Sequence, residues 1–230
     1  ERAKSVPETL AQLFDPGALA IVLAGTLIAT TARCGWRDLS IAARAVTRLG
    51  RSEFDKDANR AALAKTVAAI QRAGLLGADA PSPPDRALAA QIDALLRSGS
   101  FDALHAIRRA DRAAREGNRA SAIRVFEYAG ELAPVFGLVG TLFAITQLAP
   151  AASADPTEAT LAAVATAVLS SLYGVLTAHI ISIPTARAIE RKGEREEAAR
   201  AQLIEWLETE AMAAPGGRVT RLRDVAGARS

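Results

Sequence analysis

The sequence predicts an all-α, polytopic membrane protein with three transmembrane helices and a helical cytoplasmic domain. Half of the 230 residues are hydrophobic, and only 4% are aromatic. Three stretches of 17, 23 and 28 residues contain no Asp, Glu, Lys or Arg: 16–32, 132–154 and 159–186. As helices they would extend roughly 25, 34 and 42 Å, against about 30 Å for the hydrocarbon core of a bilayer. Such continuous apolar runs exclude an ordinary soluble domain and argue against a β-barrel, whose strands alternate.

Basic residues border the apolar stretches at one end only. The loop 155–158, between the second and third stretches, contains two carboxylates and no Lys or Arg. The positive-inside rule therefore places this loop outside and the opposite, basic flanks in the cytoplasm. The net charge of +3 does not indicate a nucleic-acid partner, because basic and acidic residues are mixed and no aromatic side chains are interleaved with them. The basic flanks are formed by Arg33, Arg37, Arg119, Arg124, Arg187, Arg191, Lys192 and Arg195.

Three spans with this orientation put the start of the chain outside. The chain begins with Glu1 rather than Met. We therefore expect a fourth, N-terminal transmembrane helix to precede Glu1; the alternative is a three-span protein with a short external tail. The predicted organisation begins with an outer-face interfacial segment at 1–15, a transmembrane helix at 16–36 and a cytoplasmic helical domain at 37–125. Two transmembrane helices follow at 126–150 and 159–186, joined by a periplasmic loop at 151–158. A cytoplasmic C-terminal helix and tail occupy residues 187–230.

The cytoplasmic helices are predicted from apolar residues that recur every three or four positions, as in Leu63, Val67 and Ile70. The proline-rich stretch Pro-Ser-Pro-Pro at 81–84 interrupts this apolar pattern and separates two of these helices. The predicted helices are 37–49, 57–76, 85–97, one that begins near residue 101 and continues into the second span, and 187–213.

The sequence lacks the residues that most enzymes need. It contains no phosphate-binding glycine loop and no Cys/His cluster with metal-ligand spacing, so we expect no catalytic residue, no metal and no bound cofactor. The three apolar stretches also contain no carboxylate, although ion-conducting proteins usually carry one inside the membrane. If this protein handles ions, a partner must supply the acid.

Hydroxyl-bearing residues follow one face of the last span. They are Thr166, Ser170, Tyr173 and Thr177, at positions i, i+4, i+7 and i+11. Ser171 adjoins this face, and Thr141 follows two glycines in the middle span. These hydroxyls either line a narrow polar path or bond to carbonyls of their own helices. Pro134 and Pro184 each remove a backbone donor, so they are either hinges or simple markers of helix ends.

Three segments together resemble a known family of membrane motors. Residues 126–142, with the pattern Ala-Pro-x-x-Gly-x-x-Gly-Thr, resemble the third transmembrane segment of MotA/PomA-type flagellar stator proteins of the MotA/TolQ/ExbB proton channel family. Residues 167–174, followed by Pro184, are similar to the fourth segment, and residues 14–26 to the second. The resemblance extends over nearly the whole chain. It departs at the first segment, since stator proteins of this type have four spans and this chain shows three.

The resemblance implies a motor rather than an enzyme. Such proteins form a homopentamer around two copies of a MotB-like partner, whose transmembrane Asp receives the ion. Ion flow turns the pentamer in the bacterial inner membrane, and the cytoplasmic domain passes the torque to the flagellar rotor. Two serines at 170 and 171 keep both hydroxyls but match neither the sodium-type pattern of two threonines nor the proton-type Ala-Thr. The resemblance therefore leaves the ion undecided, with protons slightly favoured over sodium.

The resemblance also assigns roles to individual residues. The implied ion path contains Thr141, Ser170, Ser171 and Tyr173, the implied hinge prolines are Pro134 and Pro184, and the implied rotor-facing charges are Arg72 and Asp79. Gln71 stands where the family has a first basic residue, which weakens the case for flagellar torque. Two other functions therefore stay open: a TolQ/ExbB-like energiser of an envelope process, and a structural helical membrane protein whose polar face only packs.

Overall fold

The computed structural model describes residues 14–50, 54–146 and 156–213, and every element in these ranges is helical. Three of the helices are long and apolar enough to cross a membrane. The all-helical, three-span fold class predicted from the sequence is therefore confirmed. The helices are α1 (Pro16–Leu49), α2 (Lys56–Ala73), α3 (Arg86–Ser98), α4 (Phe101–Thr146), α5 (Pro156–Leu176), a π-helical turn (Thr177–Ser182) and α6 (Ile183–Ala213).

The chain divides into two compact units. The first, here called the membrane unit, consists of residues 1–50 and 118–190 and contains the apolar parts of α1, α4 and α5. The second, here called the extramembrane unit, consists of residues 51–117 and 191–230. The predicted interfacial segment at 1–15 and the loop at 151–158 lie largely outside the described residues, as does the end of the chain after residue 213.

Helix α1 begins at a strong N-cap and continues far beyond the apolar stretch. The Asp15 carboxylate accepts hydrogen bonds from the backbone N–H groups of Gly17 and Ala18, and Pro16 fills the first helical position. The sequence predicts a span at 16–36 and a separate helix at 37–49. Within α1, Gly35 has non-helical backbone angles, with φ 83° and ψ 161°, so the element consists of two helical segments that meet at a kink there. Glycine adopts this conformation without the steric penalty that a Cβ would bring.

The third span contains a widened turn directly before Pro184. In the π-helical turn Thr177–Ser182, the N–H of Ile183 bonds to the carbonyl of Ala178, five residues back. Proline has no N–H and its ring presses on the carbonyl four residues earlier, so a wider turn relieves the crowding around Ile180. Helix α4 likewise continues through Pro134. Neither proline marks a helix end, which removes the simpler of the two interpretations offered by the sequence.

The extramembrane unit is held by an aliphatic core. Its buried side chains come from α2, α3, the start of α4 and the end of α6, which explains the predicted spacing of apolar residues on those helices. Asn59 is 2% exposed and joins two elements, because its side-chain oxygen accepts from the N–H of Asp85. The core is formed by Leu63, Val67, Ile70, Leu88, Ile92, Leu95, Leu104, Leu203, Ile204, Leu207 and Ala211.

A buried ion pair fastens α6 to the start of α3 in this unit. The Arg200 guanidinium donates to both carboxylate oxygens of Asp85, at 3.2 and 2.8 Å, and the two side chains are 12% and 15% exposed. Burial works against ionisation of Asp85, but Arg200 and the N–H groups of Leu88 and Ala87 outweigh it and lower the pKa of this carboxyl.

The substitution Asp85→Asn should destabilise the extramembrane unit by about 2 kcal/mol at neutral pH, because the buried Arg200 guanidinium loses its shortest charged contact and keeps only Glu196 and Glu197, at 3.3 and 3.9 Å. Since the pKa of Asp85 is lowered on folding, its contribution is present above the ordinary value of 3.8 and is lost as the pH falls through the folded pKa. Chemical unfolding of the wild type and the variant should therefore differ at neutral pH and converge in acid. The control Asp93→Asn breaks an exposed pair with Arg97 and should cost less than about 1 kcal/mol. An equal loss in both variants would contradict the prediction.

Candidate functional site

Glycines bring the second and third spans into backbone contact. A methyl group placed on Gly174 would lie 2.6 Å from the carbonyl oxygen of Ala133 and 3.1 Å from the Cα atoms of Pro134 and Gly137. On Gly137 it would lie 3.0 Å from the carbonyl oxygen of Ser170. Small residues allow this approach in membranes, where packing rather than water drives helix association. The two helices therefore have little room for any larger side chain between Ala133 and Gly140.

Ser170 lies in the centre of this contact. Its side chain is fully buried, and its hydroxyl oxygen would be 2.7 Å from a methyl group placed on Gly140. That hydroxyl has no hydrogen-bond partner among the described residues. A buried hydroxyl without a partner loses the hydrogen bonds that water would give it. Ser170 is thus a polar group, near the middle of its apolar stretch, that can still donate and accept.

Thr141 lies at the same depth as Ser170 because it follows Gly140 directly. Its hydroxyl donates to the carbonyl of Leu138 at 2.6 Å and is half-exposed at the surface of the unit. Its lone pairs remain able to accept a bond or contact a cation. Ser171 is also half-buried, beside Gly137. The structure therefore brings together three of the four residues assigned to the ion path, Thr141, Ser170 and Ser171, around one contact between α4 and α5.

Tyr173 has a different neighbour from these three residues. Its hydroxyl oxygen accepts a hydrogen bond from the N–H of Asp15 at 2.9 Å, and Thr166 donates to the Asp15 carboxylate at 2.8 Å. Two members of the predicted polar face thus fasten the start of α1 to α5. Sequence reasoning missed this role of Asp15, which it placed in an interfacial segment. The Asp-Pro-Gly sequence was a signal for the N-cap, but nothing local indicates its contacts with Thr166 and Tyr173.

The predicted rotor-facing charges lie in the extramembrane unit. Arg72 is in the last turn of α2 and its guanidinium donates to the carbonyl of Ala68, while Asp79 lies in the connection to α3. Both side chains are exposed, and neither forms an ion pair within the described ranges. Their charges are therefore available to a partner.

The membrane unit presents apolar side chains outward. Leu138, Leu142, Val168 and Ile180 are each 60–65% exposed, although they are large and hydrophobic. In water such a surface would be unfavourable, whereas lipid or neighbouring protein helices can cover it. Within the described ranges, no group of three or more His, Cys, Asp or Glu side chains could hold a metal ion. Within the three apolar stretches, the side chains suited to an ion are hydroxyls and one histidine, His179, so no carboxylate there can neutralise the charge of an ion.

Comparison with known proteins places these features in a family. A model of the MotA/TolQ/ExbB proton channel family matches residues 79–202, more than half of the chain. The fold is similar to that of MotAB from C. jejuni, with a TM-score of 0.75 and 17% identity over 92% of this chain and 84% of that chain. It is also similar to the flagellar MotAB stator complex from Bacillus subtilis, with a TM-score of 0.67 and 19% identity over 86% of this chain and 79% of that chain. No curated protein sequence matches significantly.

Proposed function

Because the chain belongs to the MotA/TolQ/ExbB proton channel family, we propose that it is a MotA-like subunit of an ion-driven motor in the bacterial inner membrane. The observation that carries the proposal is the contact between α4 and α5. There the buried Ser170 hydroxyl, which has no hydrogen-bond partner in the described part of the chain, lies level with Thr141, and the apolar stretches contain no carboxylate.

The missing acid comes from a partner with a transmembrane Asp, as in a MotB-like subunit. A carboxylate at the depth of Ser170 and Thr141 would be costly if it were left without hydrogen bonds. The partly exposed hydroxyls of Thr141 and Ser171 can supply part of that solvation, whereas the Ser170 hydroxyl is enclosed between α4 and α5 at the same depth. Both solved relatives are MotAB complexes, which supports a partner of this kind.

The chain forms a homopentamer around two such partner helices, and ion flow turns it. Each proton that crosses releases about 2.3 kcal/mol per 100 mV of membrane potential. Single-particle images of the chain purified with its partner should show five copies around two central helices. A stable monomer in mild detergent, from the full-length sequence with any preceding span included, would contradict the assembly.

Protons are favoured over sodium as the transported ion. The Ser170 hydroxyl is enclosed against Gly140, where an added methyl group would lie only 2.7 Å from it, so this contact has no room for a hydrated sodium ion. An ion flux through the complex that depends on the sodium concentration and not on pH would show that sodium is transported instead.

The extramembrane unit transmits the work through exposed charges. Reversing them with Arg72→Glu or Asp79→Arg should reduce motor output at least severalfold while leaving assembly intact, since exposed charges contribute little to folding. Swimming speed, or another ion-driven output, measures the effect. Arg109→Glu is the matched control, because Arg109 is an exposed arginine on a helix of the same unit and, like Arg72, forms no ion pair within the described ranges. Normal output from both reversals would show that the two residues form an ordinary solvated surface.

A TolQ/ExbB-like energiser is the second candidate, favoured by Gln71, which stands where flagellar stators have a basic residue. The partner distinguishes the two. A partner with a peptidoglycan-binding domain indicates a stator, whereas a TolR/ExbD-like partner indicates an envelope energiser.

A further inference from the structure

Two threonines in α1 have buried hydroxyls that form no bond to their own helix, unlike the hydroxyls of Thr31 and Thr47. Thr26 and Thr30 are 5% and 2% exposed, and neither hydroxyl has a hydrogen-bond partner among the described residues. Thr31, one position further on, bonds back to the carbonyl of Leu27 at 2.6 Å, which is the usual arrangement in a membrane helix. Thr26 and Thr30 therefore hold two buried donors that their own helix leaves unused.

The depth of these hydroxyls follows from contacts between the spans. Along the antiparallel pair α1 and α4, Ile21 lies near Gly140 and Gly25 lies against Phe136. Continuing this register places Thr26 within about one residue of Pro134 and Thr30 within about one residue of Gly130. Both threonines therefore lie closer to the predicted cytoplasmic end of the spans than Ser170, which packs on Gly140.

Backbone carbonyls to which a proline cannot donate occur at this same depth. Pro134 has no N–H to offer the carbonyl of Gly130, and Pro184 has none for the carbonyl of Ile180. The third span passes Gly130 at this point, since Ser182 and Ile183 would each lie 3.6 Å from a methyl group on that glycine. Two buried hydroxyl donors on α1 thus lie at the depth at which α4 has a carbonyl, that of Gly130, to which proline cannot donate.

We propose that Thr26 and Thr30 form a buried water-binding site with the Gly130 carbonyl, extending from the level of Ser170 toward the inner end of the membrane unit. Water is the ligand that fits, because it can accept from hydroxyls and donate to carbonyls at once. This role rests on the proposed function: the site is the inner half of the proton path. Each water takes up a proton from one neighbour as it releases another to the next, and no hydroxyl changes its charge.

The test compares the wild-type complex with the double variant Thr26→Val, Thr30→Val and the control Thr31→Val. High-resolution electron microscopy of the wild type with its partner should show water density about 3 Å from both hydroxyl oxygens. The double variant should lose that density and conduct protons about tenfold more slowly or worse. The control should keep both the density and the rate, because its hydroxyl already bonds to Leu27.

Two other outcomes of this experiment would decide between the water site and the proposed function. A dry site in the wild type, with a double variant that melts at a higher temperature and conducts normally, would overturn the water site, because valine then only removes unpaired hydroxyls. Water density in a wild-type complex that does not conduct would uphold the site and contradict the proposed function instead.

Discussion

Replacing Gly174 with alanine is expected to prevent stable assembly of the membrane unit. The new methyl group would lie 2.6 Å from the carbonyl oxygen of Ala133 and 3.1 Å from two backbone Cα atoms of α4. All three atoms belong to the backbone, so no side-chain rotation can relieve the overlap. Overpacking that moves a backbone costs about 1–3 kcal/mol, and we expect this substitution to reach or exceed the upper end.

The effect of Gly174→Ala is measured as the yield of folded protein and its melting temperature in mild detergent. Gly117→Ala is the matched control, since Gly117 also lies within a helix but a methyl group there would meet nothing within 4 Å. That control should be neutral or more stable, because alanine favours helix over glycine by about 1 kcal/mol. Equal stability of the two variants would show that α4 and α5 are not in backbone contact.

Removing the hydroxyls around the same contact is expected to abolish ion-driven work without preventing assembly. The changes are Thr141→Val, or Ser170→Ala together with Ser171→Ala, which keep the approximate volume. Each hydrogen bond to a charged group contributes about 1.5–3 kcal/mol, or roughly 10- to 100-fold in rate if it is lost in the barrier. Folding should be little affected, since Ser170 has no partner among the described residues to lose.

The control for these variants is Thr146→Val on the same helix. Its hydroxyl bonds back to the carbonyl of Phe143 at 2.7 Å, as that of Thr141 bonds to Leu138, but it lies five residues further along α4. The control should conduct and work normally. If the Thr141 and serine variants assemble and also work at wild-type levels, the hydroxyls are packing groups.

Most of the fold was predictable from local patterns in the sequence. Uncharged stretches define the spans, and the recurrence of apolar residues defines helices such as α2, because both reflect burial in lipid or in a protein core. The position of the interruption between the first span and the following helix was predictable only approximately. The sequence places the boundary after residue 36, whereas the residue with non-helical backbone angles is Gly35.

The site was less predictable than the fold. Counting residues from the loop at 151–158 placed Thr141 and Ser170 at a similar depth, and the packing of Ser170 on Gly140 agrees with this. Three features could not be deduced: the bond from Thr141 to Leu138, the attachment of Tyr173 to Asp15, and the unused hydroxyls of Thr26 and Thr30. Each depends on which helix faces which, and an apolar sequence with many small residues is compatible with several packings.

The most direct test of the proposed function is proton uptake by lipid vesicles that contain the full-length chain and its partner. An imposed membrane potential should drive acidification of the vesicle interior, and the flux should fall to background with Ser170→Ala and Ser171→Ala while Thr146→Val retains the wild-type rate. Vesicles that hold the correctly assembled complex, with its partner in the conducting state, yet show no flux above empty vesicles would contradict the assignment of this chain as an ion-driven motor subunit.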